Sequence, residues 1–206
     1  MASPLTIQAK AKVTDGNGAN DQVNTAYNGA TFQIGESSLS ATVTRALIKF
    51  DLSEIPSDAT ITSAVMSLKL YDDRSSNART FRVYRVKRAW VEGQACWNTY
   101  STGNNWGTAM CANTTSDRES ADIGSADFTA TETLGTWKDF ALTASKIQEM
   151  ITGGVFTNNG FLIQADTENY DAYQFYSSDN GTEADNPKLV VTYTLPSSGS
   201  AFFNFM

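Results

Sequence analysis

The sequence predicts an all-β fold: one antiparallel β-sandwich of jelly-roll type carrying one short helix. Three observations predict it. Short apolar stretches alternate in and out with a period of two. Loops rich in Asn, Gly and Ser separate them at close intervals. The chain of 206 residues, 41% hydrophobic and 18% charged, has the size of one generous all-β domain and can bury a core without metals or disulfides. No internal repeat or dividing linker is visible, so residues 1–196 form the domain and 197–206 a spacer and apolar tail.

Taken in order, Leu5, Ile7, Ala9 and Ala11 alternate with Thr6, Gln8, Lys10 and Lys12, the pattern of a half-buried strand. TDGNGANDQ is a loop by composition and TFQIG a short strand. Two long strands follow. The first places Ala46, Ile48 and Phe50 on one face, the second Ala64, Met66, Leu68 and Leu70, with Pro56 in their connection, where a missing N–H costs nothing. In RTFRVYRVKRAW the alternation slips, because Phe81 and Val83 agree and Val86 is out of phase. A bulge near Tyr84 would restore it and put Arg82, Arg85 and Lys87 outside. TWKDFAL and GFLIQAD are strands. Between them Thr143 is placed to cap a helix that buries Ile147, Met150 and Ile151 and stops at Gly153. AYQFYSS and PKLVVTYT complete about nine or ten strands.

Composition narrows the chemistry. The chain has no histidine, which removes the commonest general base and transition-metal ligand. Its net charge of −7 speaks against a nucleic-acid partner. No stretch has the ~18 apolar residues that span a bilayer. The first residues lack the apolar core of a secretory signal. The expectation is therefore a cytosolic product, a mature fragment, or a part of something assembled in the cytosol and used outside, the class to which virion proteins belong.

Local patterns suggest sites. Six of the 15 basic residues, Arg74, Arg79, Arg82, Arg85, Lys87 and Arg88, lie within one stretch that no acid interrupts. Guanidinium forks match carboxylates and sulfates, so Arg82, Arg85, Lys87 and Arg88 are candidate contacts for an acidic polysaccharide. The alternative is a solvated face paired with the protein's own acids. Trp90, Trp97 and Trp106 crowd the stretch AWVEGQACWNTYSTGNNWG. Trp90 and Trp97 read as core anchors, as does Trp137 in its strand. Trp106 and Tyr100 are the rings left to stack on sugar. Asp15, Asn17 and Asp21 share a loop that suits either a structural Ca2+ or a plain Asx-rich turn; Asp166, Glu168 and Asp171 share another. Cys96 and Cys111 are either two buried thiols or one disulfide. After a Ser/Gly spacer, Phe202, Phe203, Phe205 and Met206 form an apolar run expected to dock on a partner subunit or its own domain. Carboxylate pairs are plentiful enough for glycosidase-like chemistry, but no nucleophile–base constellation is readable, so the chain is expected not to be an enzyme.

The ordered pair R-A-L-I-x-F-D-L-S-x-I-P (from Arg45) and A-W-x-E-G-x-x-x-W-N (from Ala89), followed by NNGFLIQADTE and NPKLVVTYT, resembles the DNRLRE domain family. The likeness runs from about Val13 to Thr194. It implies a jelly roll, with non-catalytic binding of acidic polysaccharide in some members and phage proteins among others. The resulting expectation is a structural virion protein, a decoration or appendage component held to other subunits or to copies of itself. The alternative is an acidic-polysaccharide-binding module at a cell surface.

Overall fold

The computed structural model describes residues 5–9, 16–20, 29–37 and 42–196. Thirteen strands and one α-helix make up the described chain. They run β1 (Leu5–Ala9), β2 (Gly16–Asn20), β3 (Thr31–Ser37), β4 (Thr42–Ile48), β5 (Thr60–Arg74), β6 (Arg79–Arg85), β7 (Thr99–Ser101), β8 (Asn104–Asn105), β9 (Gly124–Phe128), β10 (Trp137–Leu142), α1 (Ala144–Gln148), β11 (Phe161–Ala165), β12 (Ala172–Tyr176) and β13 (Lys188–Thr194). The protein is all-β with one short helix, as the alternation predicts.

The layer arrangement differs from the expected sandwich. The pairings β5–β10–β9–β6–β11–β4–β3–β12 return to β5 and close a ring of eight strands. The 15-residue β5 makes the closure. Its first half pairs with β13 through Lys188 opposite Ser67, and its second half with β12 through Phe175 opposite Leu70. One strand thus serves two neighbours along the same edge. A closed ring leaves no unpaired edge among its members. The inward sets of β5 and β4 pack with Phe81, Val83, Phe128, Phe140, Phe161, Ile163, Tyr173 and Phe175 as the main core.

The bulge expected near Tyr84 is absent from β6. Its ladders with β11, from Phe81 to Arg85, and with β9, from Arg79 to Val83, run without a register shift. The slip in alternation has another cause: this wall of the barrel is buried on both faces. Phe81 and Val83 face the main core, whereas Tyr84 and Val86 join Leu47, Leu162, Trp106, Met110 and both cysteines in a second core outside the barrel. The chain between Val86 and Arg118, which pair as an isolated bridge, supplies most of that second core. Within it lies the β7–β8 hairpin.

Other departures are local. Gly16–Asn20, expected as loop, pairs with β4 around a register shift, because backbone pairing needs no apolar side chain. Thr143 precedes α1, but its hydroxyl donates to the Ile123 carbonyl rather than capping the helix. Trp137 lies on the outer side of β10, beside Lys69 of β5, and is not core.

Candidate functional site

The basic stretch folds so that most of its charges are spent internally. Arg85 stands in phase with Phe81 and Val83, and so points inward at one end of the barrel, 1% exposed. Its guanidinium holds Glu119 bidentately, with Nε to Oε2 and Nη2 to Oε1 both at 2.8 Å. Nη2 also reaches Glu149 Oε2 at 2.7 Å, Nη1 donates to the Lys146 carbonyl at 2.9 Å, and the Phe156 ring lies 3.9 Å below. The bonds to Arg85 hold the carboxyl of Glu119 below its ordinary range, and those to Arg85 and Lys146 do the same for Glu149. Two ionised carboxylates on one guanidinium make a structural lock with no proton to donate. Arg85 therefore has no surface to offer a ligand, because burial and pairing use its whole fork.

Arg79 pairs with the fully buried Asp171, whose oxygens also accept from the backbone N–H groups of Ser76 and Asn77. Arg82 points outward and bonds Asp122 at 2.9 Å. Arg74 bonds Asp72 at 2.8 Å.

Lys87 and Arg88 lie at the root of the Trp-rich loop. Lys87 is exposed, and its ammonium donates to the Thr114 carbonyl at 2.7 Å. Arg88 Nε donates to Asp117 Oδ1 at 3.0 Å, and its guanidinium carbon lies 4.8 Å from the Tyr100 ring centroid. Tyr100 is half-buried, and beside it Thr102, Gly103, Asn104 and Asn105 are exposed at the hairpin tip. Nearby in the fold, Arg45 lies 5.3 Å from the Trp97 ring and forks onto Glu168. Lys87, Arg88 and Tyr100 are thus brought together at one surface, whereas Arg82 and Arg85 stand elsewhere.

Trp106 is beneath that surface, not on it. It is 5% exposed, its indole N–H donates to the Cys96 carbonyl at 2.9 Å, and its ring supports Tyr100 at 5.6 Å between centroids. Trp106 is the most deeply buried of the three, whereas Trp90 and Trp97, expected as core anchors, pack against this core only half-buried. Trp106 is deeper because the β7–β8 hairpin folds back over Leu47, Tyr84 and Leu162, which the outer barrel wall presents. Cys96 and Cys111 are both buried thiols that form no disulfide. Burial, then the nearby Asp117 charge, push the Cys111 thiol well above its ordinary value.

Asp117 organises the loop, and sequence reading missed it. Its carboxylate accepts from the N–H groups of Gly107 and Thr108, the Ser116 hydroxyl and Arg88. Its own carbonyl accepts from Lys87 N–H. Burial alone would raise its pKa, but those donors outweigh burial and lower it. A depressed carboxylate contributes stability that is complete above the ordinary carboxylate range and is lost as pH falls through the folded value. Loop unfolding, followed by Trp fluorescence, should accordingly become easier only below about pH 4. Asp117→Asn should flatten that acid limb while lowering stability at neutral pH. An unchanged acid limb in the variant would assign it to other carboxylates.

Next to the Arg85 lock is a cleft of about 560 Å3 between the β4–β5 connection and the segment after α1. Phe50, Leu52, Met150 and Ile151 are among its lining residues, and Lys49 and Asp51 are its ionisable ones. A single carboxylate there does not supply the pair that glycoside hydrolysis commonly uses.

Two sets of expected residues cannot be placed. Asp15 and Asp21 lie outside the described residues, as does the side chain of Asn17. Phe202, Phe203, Phe205 and Met206 also lie outside them. Among the described residues no cluster of three or more metal-ligating side chains occurs, and no helix is long and apolar enough to cross a membrane.

Comparison with known families corrects the resemblance drawn from the two motifs. The family model that matches is the Disaggregatase related repeat domain, over residues 17–191, and not DNRLRE. The phage and carbohydrate-binding-module kinship implied by the DNRLRE-like motifs is withdrawn with it. No curated protein matches the chain.

Proposed function

Because the chain belongs to the Disaggregatase related repeat domain family, we propose that it is a non-catalytic binding unit that holds acidic polysaccharide at a cell surface or in a matrix. The observation that carries this reading is the surface made by Lys87, Arg88 and Tyr100 beside the β7–β8 hairpin. Arg88 lies over a half-exposed ring, Lys87 is exposed, and the hairpin tip adds the amides of Asn104 and Asn105. Cation, aromatic face and amides in one place suit an anionic sugar chain. Asp117 fixes the orientation of Arg88, so the ordering cost falls on folding rather than on binding.

The family description names a repeat related to a disaggregatase, and a repeat of that kind has a use for gripping the material of an aggregate. The Arg85 cluster supports the non-catalytic reading at one carboxylate pair, through its geometry and charge. The paired carboxylates Glu119 and Glu149 are held ionised, which leaves them unsuited to act as general acid. The expectation of a virion component drew on the resemblance now replaced and on the missing signal pattern in the first residues, and the tail that would anchor it, residues 197–206, lies outside the described residues. The loop surface favours polysaccharide binding over it.

Affinity electrophoresis tests the reading. The protein should be retarded in gels containing polygalacturonate, and Arg88→Ala with Tyr100→Ala should lose about tenfold in affinity, or about 1.4 kcal/mol. Added salt should weaken the retention. Unretarded migration in polygalacturonate and in sulfated dextran alike would overturn it.

A further inference from the structure

On the other side of the barrel from the loop, we infer a second carbohydrate face, formed by Trp137, Tyr71 and Tyr176 and fitted to a neutral chain of pyranose units. In the eight-strand ring β11 stands four places from β5, so the wall under the loop and the wall carrying these rings face opposite ways. The inference goes beyond the loop-site reading and stands on different residues.

Three observations carry it. First, the rings are presented outward. Tyr71 is 46% exposed and sits at the register shift where Leu70 pairs with Phe175 and Asp72 with Gln174, so it is the extra residue of a β-bulge. Bulges re-aim side chains in this way. Tyr176 meets it edge-on at 5.2 Å and 79° between planes. Trp137 stands opposite Lys69, two residues before Tyr71 on β5.

Second, the rings are set in place by cations. Lys188 Nζ lies 3.5 Å from the Trp137 centroid, and Lys69 Nζ lies 5.8 Å from the Tyr176 centroid while paired with Asp185. Side chains held this way lose little freedom when a ligand arrives.

Third, the charges of the face cancel. Lys69 pairs with Asp185, Arg74 with Asp72, and Lys188 and Asp139 flank Ser67 from β13 and β10. A net-neutral face with hydrogen-bonding groups between separate rings matches a neutral sugar, whose C–H faces alternate with hydroxyls.

The test uses the full chain in gels containing hydroxyethyl cellulose, xylan or galactomannan. We expect retardation in at least one, insensitive to salt, and lost about tenfold in the Trp137→Ala, Tyr71→Ala double variant. Trp137→Phe should keep most of it. The Arg88→Ala, Tyr100→Ala variant should bind the neutral polymer as the parent does, which separates this face from the loop site. Unchanged melting curves would show that the variants fold. The inference is overturned by free migration in all three neutral gels, by neutral binding lost in the loop variant and kept in the face variant, or by a dimer that becomes monomeric when Trp137 and Tyr71 are removed.

Discussion

Arg85→Met should be the most damaging single substitution on the barrel, with an expected loss of about 3–5 kcal/mol in urea unfolding. Methionine fills similar space but removes five donors. Glu119 and Glu149 are then left facing each other at the barrel end, with Lys146 to offset only Glu149 directly, at 3.1 Å. The loss should deepen as pH rises through the carboxylate range, since protonation relieves the repulsion. Replacing all three, as Arg85→Met with Glu119→Gln and Glu149→Gln, should recover a large part, because a buried ion cluster owes much of its apparent strength to the cost of leaving it half-made. If the single variant unfolds like the parent, Arg85 is not the lock that its contacts describe. If the triple variant is no better than the single, the damage comes from lost packing on Phe156 instead.

The second large effect is expected at Trp106→Ala. Truncating a buried tryptophan costs about 3–5 kcal/mol, and here the loss concentrates in the second core, which lies outside the ring of strands. The loop from Val86 to Arg118 should open while the barrel persists. Cys96 and Cys111 then report on it. Both are buried in the parent, and burial suppresses the thiolate of Cys111. A thiol reagent such as an aromatic disulfide should react at least about tenfold faster with the variant, at concentrations of urea that leave the far-ultraviolet strand signal intact. Thiols that stay protected in Trp106→Ala would show that loop and barrel unfold as one unit.

Much of the strand framework was legible. Met66, Leu68 and Leu70, and Ala46, Ile48 and Phe50, follow the period-two rule, and all six are in the main core. The start of the helix and its buried Ile147 were legible, but α1 ends at Gln148, short of the expected stop at Gly153, and Met150 and Ile151 are buried in the turn that follows it. Less legible were Gly16–Asn20, whose sequence has no apolar alternation and which is held by backbone pairing, and Gly124–Phe128, whose inward face is only Gly124, Ala126 and Phe128. The inward turn of Arg85 had a signal that charge obscured, since it keeps the phase of Phe81 and Val83. Its partners Glu119 and Glu149 are 34 and 64 residues away, and no local spacing marks them.

The sequence by itself determined the class of fold, the inward residues of the long strands and the crowding of cations within one stretch of chain. Those properties depend on neighbours two to four residues apart. Only the tertiary structure decided that β5 closes a ring, that Trp106 is buried and Trp137 outside, and that four of the six clustered cations are tied to acids in distant segments. Such outcomes depend on which strand lies beside which and on whether a wall is covered on one face or two. Lys87, Arg88 and Tyr100 became a surface for the same reason: the hairpin that presents Tyr100 is held down by a core whose other half comes from β4, β6 and β11.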